Sequence, residues 1–237
     1  MRGAQVQAAC RDFELPCVEI VGSPILEPTT FATDYVLGAA TLYFAWKLWR
    51  VASDQGSRAV LLWAAAMLTF AISFIAGGSQ HGFAAYLGAY SPIWRVTLLL
   101  TALATHLALW GTATAILNAV RRRAVAAASG LGVCAYCLFL FLVSDQFIYL
   151  LVYAVVPLIL LLVISARSWL RQREPAGRWL CVGVVVTLLG GAAQASQIRL
   201  HEWFNHNDLF HVIQMGAMVL FFRGAALLHD FGPSEQA

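Results

Sequence analysis

Seven apolar runs, each about as long as a bilayer is thick, recur along this chain and are separated by short polar breaks. A transmembrane helix needs about 20 predominantly apolar residues. The pattern therefore predicts an all-α integral membrane protein, a seven-helix bundle with spans at residues 34–51, 58–76, 93–120, 125–143, 147–165, 179–198 and 209–228.

The composition supports a membrane environment. Apolar residues make up 60% of the 237 residues, charged residues make up 11%, and the mean hydropathy is +0.73. A soluble domain has about a quarter of its residues charged, so much of this surface must face lipid rather than water. The net charge of +3 is too small to indicate a nucleic-acid partner.

Lysine and arginine are distributed unevenly over the loops that seven spans would create. Cytoplasmic loops carry an excess of these residues, so we expect the N-terminus outside and the C-terminus in the cytoplasm, in the bacterial inner membrane. Six or eight spans would scatter the arginines over both faces. The predicted outer side holds Arg2, Arg11, Arg95 and Arg199, and the predicted inner side holds Lys47, Arg50, Arg58, Arg121, Arg122, Arg123, Arg167, Arg171, Arg173, Arg178 and Arg223.

The chain is accordingly divided into an extracytoplasmic arm (1–33), a membrane domain (34–230) and a cytoplasmic tail (231–237). The arm lacks the long apolar core of a signal peptide. Its two cysteines, Cys10 and Cys17, could pair in an oxidising compartment.

Polar side chains gather at the predicted outer ends of the spans. Hydrocarbon makes such groups costly, so we expect them to turn inward and to pair or line a wet cavity. Gln194, Gln197 and His201 are spaced to share one face of the sixth span. The full set is His81, Asp145, Gln194, Gln197, His201, Glu202, His206, Asn207, Asp208, His211 and Gln214.

Part of this set has a purely structural interpretation. Asn207 or Asp208 could cap the last span, and Gln194 and Gln197 could join neighbouring helices. His106 lies in the middle of the third span. We expect its imidazole to form a hydrogen bond between two helices rather than to act as a ligand.

The histidines also permit a catalytic interpretation. His81, His206 and His211 could hold a zinc ion with an open fourth position, which would activate a bound water. Asp208, Asp145 or Glu202 could then act as a base or orient a ligand. Without a metal, a histidine–carboxylate pair could relay protons or bind a ligand.

Residues 204–215, FNHNDLFHVIQM, resemble the signature of a family of uncharacterised multispan proteins of bacteria and plants. More distantly, the layout resembles the seven-span superfamily of alkaline ceramidases and progestin and adipoQ receptors. That resemblance implies zinc ligands at His81 and His211 and hydrolysis of a lipid amide. The family's third histidine position is Asn207 here, and its serine position is Gly77, with Ser79 nearby.

The resemblance also implies a calcium site in the arm, at Asp12, Glu14 and Glu19. The predicted function is a zinc-dependent hydrolase of a lipid-like amide or ester at the outer membrane face, with Asp208, Asp145 and Ser79 as catalytic candidates. The first alternative is a receptor-like or carrier protein that binds a small polar ligand through Gln194, Gln197, His201, Glu202 and Gln214. The second is a structural membrane subunit.

Overall fold

The structure is a computed structural model that describes residues 15–21, 23–88 and 91–231. In these residues a β-hairpin of β1 (Cys17–Ile20) and β2 (Ser23–Leu26) precedes eight α-helices. A π-helical turn, Ser168–Gln172, directly follows the sixth helix. The helices are α1 (Pro28–Gln55), α2 (Arg58–Gly82), α3 (Ala84–Leu87), α4 (Pro92–Ile116), α5 (Ala119–Leu142), α6 (Phe147–Arg167), α7 (Pro175–Ala195) and α8 (His206–Ala225).

Much of the predicted arm and tail lies outside the described residues, namely residues 1–14 and 232–237. The predicted calcium ligands Asp12 and Glu14 are among them, as is Cys10. Glu19, the third predicted ligand, is exposed on β1. Cys17 is disulfide-bonded.

Local sequence explains where the long helices begin and end. Gly56 ends α1 in a left-handed conformation (φ 66°), which glycine adopts without steric cost. Ser57 then caps α2 by accepting a hydrogen bond from the backbone amide of Val60. Asp230, near the end of the chain, adds a second cap, because its carboxylate accepts hydrogen bonds from the amides of Arg58 and Ala59.

One apolar core joins α1, α2, α4, α6, α7 and α8. Its largest fully buried side chain is Trp63 of α2, which packs against Phe221 of α8. A smaller core joins α4, α5 and α6 around Leu98, Tyr136 and Leu150. Most of α5 lies outside both cores, and several of its large apolar side chains, among them Leu131, Leu138 and Leu142, are exposed.

Five of the described helices are long and apolar enough to cross a membrane: α2, α4, α5, α6 with its π-helical turn, and α7. The prediction of a helical membrane protein is confirmed at this level. Helices α1 and α8 have 28 and 20 residues, enough to span. They are less apolar because they carry polar residues such as Asp34, Asp208 and His211.

His106 has the role predicted for it. Its Nδ1 atom lies 2.7 Å from the hydroxyl of Ser129, so the imidazole joins α4 to α5.

Candidate functional site

The start of α1, the end of α2 and the start of α8 bring five ionisable side chains together. We call this group, Glu27, Asp34, His81, Asp208 and His211, the His–carboxylate cluster. Its members are largely buried, and Asp34 and Asp208 are 2% and 1% exposed. The sequence was therefore informative about where the polar groups gather.

Glu27 makes the first of two histidine–carboxylate pairs. Its Oε2 atom lies 2.7 Å from Nδ1 of His81, in the last turn of α2. Its Oε1 atom accepts hydrogen bonds from the side-chain amides of Asn205, at 3.0 Å, and Asn207, at 3.4 Å. A single carboxylate thus connects the start of α1 to α2 and α8.

The backbone of Glu27 is left-handed, with φ 40°. This conformation is uncommon for a residue with a side chain and is held only where surrounding contacts impose it. The contacts here are the bonds of its carboxylate to His81 and Asn205, together with the backbone bond from its amide to the carbonyl of Pro16 at 2.8 Å.

The pKa of Glu27 lies below its ordinary value. Burial by itself would raise this pKa, but the hydrogen bond and positive charge of His81 lower it, and the bonds from Asn205 and Asn207 lower it further. Glu27 is therefore an anion at neutral pH.

The second pair is deeper and joins α1 to α8. Nε2 of His211 lies 3.2 Å from Oδ1 of Asp34, and the two side chains are 7% and 4% exposed. On the other side of the ring, Nδ1 of His211 lies 3.0 Å from the hydroxyl of Thr33. Because Thr33 and Asp34 are consecutive, one turn of α1 contacts both nitrogens of one imidazole.

Two glycines of α2 make room for this part of α1. A Cβ atom at Gly78 would lie 2.9 Å from Cβ of Asp34 and 2.9 Å from the ring of Tyr35. A Cβ atom at Gly77 would lie 3.4 Å from Oδ2 of Asp34. The close approach of α1 and α2 therefore depends on residue 78 having no side chain.

Asp208 and Asn205 form a capping box at the start of α8. The side chain of Asn205 accepts a hydrogen bond from the amide of Asn207, and Oδ2 of Asp208 accepts one from the amide of Asn205 at 2.7 Å. The prediction that Asn207 or Asp208 is the N-cap was wrong, because the helix begins earlier, at His206.

The structure brings several predicted site residues together. His81, His211 and Asp208 belong to the cluster. Gln194 lies beside it, because its side-chain amide donates a hydrogen bond to Oδ1 of Asn207 at 2.6 Å. Gln214 is buried one turn after His211.

Other predicted residues lie apart from the cluster. Asp145 pairs with Arg95, with Oδ2 and Nε 3.0 Å apart. Ser79 exchanges a hydrogen bond with the hydroxyl of Tyr35 and donates one to the carbonyl of Ile75.

The predicted common helix face of Gln194, Gln197 and His201 was wrong. Helix α7 ends at Ala195, and Gln197 has a left-handed backbone (φ 52°), so the two later residues lie beyond the helix. Both His201 and Glu202 are exposed and bond to Trp203. The His201 ring accepts a hydrogen bond from the backbone amide of Trp203, and the Glu202 carboxylate accepts one from the indole of Trp203.

The predicted zinc ligands do not converge in this arrangement. His206 and His211 lie on one continuous helix, about 140° apart around its axis. Both nitrogens of His211 are within hydrogen-bonding distance of Asp34 or Thr33. Within residues 15–21, 23–88 and 91–231, no group of three or more His, Cys, Asp or Glu side chains could hold a metal ion. Zinc binding by His81, His206 and His211 stays a prediction, and the contacts of His211 with Asp34 and Thr33 do not favour it.

The sequence interpretation missed Glu27, Thr33 and Asp34. Asp34 was placed at the edge of the first span, although a carboxylate that enters an apolar run is itself a signal of a buried partner. Glu27 was assigned to the arm, and no local pattern links it to His81.

Residues 29–230 match the model of DUF6962, described as a family of unknown function. The chain belongs to this family. The expectation of an uncharacterised family is confirmed to that extent. No curated protein and no solved structure matches the chain. The region shared with DUF6962 contains Asp34, His81, Asp208 and His211, and it begins just after Glu27.

Proposed function

We propose that this protein spans the membrane seven times and binds a small organic cation, such as a protonated amine, at the His–carboxylate cluster. The cluster lies at the outer face, with the N-terminus outside and the C-terminus in the cytoplasm. The observation that carries the proposal is the ratio of charges: three largely buried carboxylates face two imidazoles.

Packing supports membrane insertion of α1 and α8. Leu37 and Leu48 of α1 and Met218 of α8 belong to the same core as Trp63 of α2, and all four are fully buried. Because α1 and α8 pack into the same core as helices that are apolar enough to cross a membrane, we expect them to cross it too. Three of the polar residues that lower the hydropathy of these helices, Asp34, Asp208 and His211, belong to the cluster.

Charge supports the orientation. Arg58, Arg121, Arg178 and Arg223 lie at the ends of α2, α5, α7 and α8 that are opposite to the cluster. The positive-inside rule assigns that end to the cytoplasm, which leaves the cluster on the outer side.

The charge balance of the cluster favours a cationic ligand. Even with both imidazoles protonated, one carboxylate has no cationic partner within the cluster. That carboxylate is Asp208, which accepts a hydrogen bond from the Asn205 amide but has no opposite charge beside it, and a buried charge without such a partner remains costly. A protonated amine supplies both a charge and several donors, so its binding lowers this cost.

Access and aromatic rings point to the same ligand. The His81 side chain is 20% exposed and that of Glu27 12%, so this pair forms the most accessible part of the cluster. The ring of His81 packs edge-on to Trp94, with centroids 6.1 Å apart. Phe31 lies on α1 one turn after Glu27, and its ring packs against that of Tyr35 with centroids 4.7 Å apart. Aromatic faces attract organic cations.

The test uses the full chain in lipid nanodiscs and measures thermal unfolding with phenethylamine or with its neutral analogue, phenethyl alcohol. We expect the amine alone to raise Tm, because ligand binding to the folded state stabilises it. Glu27→Gln should remove the shift. Glu174→Gln, at the opposite end of the bundle, is the matched control and should retain it. Equal shifts with amine and alcohol, or an unchanged shift in Glu27→Gln, would contradict the proposal.

A hydrolase is the second candidate, and one contact favours it. The Thr33 hydroxyl, His211 imidazole and Asp34 carboxylate form a hydrogen-bonded series of nucleophile, base and orienting acid. In this scheme Thr33 adds to an ester carbonyl while His211 takes its proton, and the alcohol leaves with that proton. Water then cleaves the acyl-threonine by the same route.

The hydrolase is tested by turnover of a short-chain lipid ester in nanodiscs. Thr33→Ala should abolish turnover and Thr33→Ser should retain it. Turnover that survives Thr33→Ala would exclude this scheme. The predicted zinc-dependent reaction stays a separate prediction.

A further inference from the structure

A second site lies deeper in the bundle, between α2, α4, α6, α7 and α8. A cavity of about 290 Å³ opens there. Its walls are mainly aromatic and aliphatic, and Phe70, Phe74, Phe147 and Phe210 contribute rings from three of the helices. Four of the five helices are apolar enough to cross a membrane.

Two of the residues that line this cavity each have a buried oxygen atom without a hydrogen-bond partner among the described residues. These atoms are Oε1 of Gln214, on α8, and Oγ1 of Thr187, on α7. The Gln214 side chain belongs to a residue that is only 4% exposed. Buried polar atoms in proteins are almost always hydrogen-bonded, so among the described residues Oε1 of Gln214 lacks a donor and the Thr187 hydroxyl lacks a partner of either kind.

Two other hydroxyls of cavity-lining residues, both on α4, do have hydrogen-bond partners. Thr101 donates to the carbonyl of Thr97 at 3.0 Å, and Thr105 donates to the carbonyl of Thr101 at 2.9 Å. Their own helix satisfies them, as is usual for threonine within a helix. The unsatisfied oxygens are therefore confined to the α7–α8 side of the cavity.

The cavity opens sideways along α6. Ile148, Val152 and Val155 line it and are also exposed, by 46%, 65% and 46%. In a membrane these side chains face lipid. An apolar molecule dissolved in the bilayer could therefore enter without crossing the polar ends of the helices.

We propose that this cavity binds a small apolar alcohol, whose hydroxyl donates a hydrogen bond to Oε1 of Gln214 and lies beside Oγ1 of Thr187. The volume is about twice the ~150 Å³ that accommodates benzene in an engineered protein cavity. The ligand is therefore about the size of two aromatic rings. This site is separate from the His–carboxylate cluster and does not depend on the function proposed for that cluster.

The probes are p-hydroxybiphenyl and biphenyl, which differ by one hydroxyl. Binding to the full chain in nanodiscs is measured by equilibrium dialysis, with empty nanodiscs as the blank for partition into lipid. We expect p-hydroxybiphenyl to bind about three- to tenfold more tightly than biphenyl, the factor of one net hydrogen bond. Equal affinities would overturn the proposed role of Gln214.

Two variants separate the polar contact from the cavity itself. Gln214→Leu keeps the size of the side chain and should abolish the preference for the hydroxyl, while biphenyl still binds. Gly191→Phe should fill the cavity from α7 and abolish saturable binding of both probes, because a Cβ atom at Gly191 meets only Leu151, at 3.6 Å. Leu189→Phe, an exposed position on the same helix, is the matched control.

Folding of each variant is checked by its melting temperature and its elution as a single species. Should Gly191→Phe not fold, Thr187→Val provides the second test, and it should reduce the hydroxyl preference. Glu27→Gln should leave binding of both probes unchanged. Unaltered saturable binding in a folded Gly191→Phe variant would show that the probes bind elsewhere and would overturn the proposal.

Discussion

The carboxylate of Glu27 lies 2.7 Å from Nδ1 of His81, although the first residue precedes α1 and the second lies at the end of α2. The pair closes the end of the two-helix unit that α1 and α2 form. Through Asn205 the same carboxylate also holds the start of α8. Three chain segments that are distant in sequence therefore meet at one side chain.

A double-mutant cycle on this pair should reveal coupling. We expect Glu27→Gln and His81→Gln to have non-additive effects, with an interaction energy of about 0.5–3 kcal/mol, as for directly contacting residues. The free energy of unfolding is measured reversibly in mixed micelles. Asp54→Asn with His81→Gln is the control cycle and should be additive, because Asp54 is exposed at the far end of α1. Additive effects of the Glu27 and His81 substitutions would mean that their contact is not energetically significant.

The lowered pKa of Glu27 predicts a specific pH dependence. A carboxyl group whose folded-state pKa is depressed contributes stability above its unfolded-state pKa, and this contribution is lost as the pH falls through the folded-state value. The ordinary pKa of this carboxyl group is 4.5. The difference in unfolding free energy between wild type and Glu27→Gln should therefore be constant above about pH 4.5 and shrink below it. Thermal unfolding from pH 7 downward measures this difference. A difference that grew on acidification would contradict the prediction.

Gly78→Ala should destabilise the bundle by about 1–3 kcal/mol, because the added methyl group overlaps Asp34 and Tyr35 at 2.9 Å and forces α1 away from α2. Gly216→Ala is the matched control, since a Cβ atom there has no neighbour within 4 Å. It should be neutral or slightly stabilising, because alanine is the better helix former. Comparable losses in both variants would show that helix propensity, rather than close packing, decides the effect.

Asp230→Ala should destabilise the protein by about 0.5–2 kcal/mol through loss of the cap on α2. Its carboxylate accepts hydrogen bonds from the Ser57 hydroxyl at 3.0 Å and from two backbone amides, those of Arg58 at 3.0 Å and Ala59 at 2.8 Å. Asp54→Ala removes an exposed carboxylate near the same end of α2 and should change stability little. Unfolding free energies of the two variants test this, and equal values would contradict the capping role.

The long helices could be predicted because apolar runs of span length are a property of the local sequence. Each of the seven predicted spans corresponds to one long helix, although α2 continues to Gly82 and α7 ends at Ala195. The end of α7 was missed because Gln197 leaves the helix through a left-handed conformation, which glutamine does not signal in sequence.

The candidate site was predictable in part. His81, Asp208 and His211 were identified because polar residues at the ends of apolar helices are conspicuous. Their partners Glu27 and Asp34 were not, because pairing between segments that are distant in sequence depends on the packing of the bundle. The zinc interpretation considered histidines only with one another, whereas in the structure each cluster histidine contacts a carboxylate.

The pairing of Asp34 with His211 has a consequence for biogenesis. Helix α1 is synthesised before α8, so under the proposed seven-span topology the carboxylate of Asp34 enters the bilayer long before its imidazole partner exists. Until then it must be neutralised by a proton, by lipid head groups or by the insertion machinery. We therefore expect α1 to be held weakly in the membrane until α8 is inserted, so that these two helices insert as an interdependent pair.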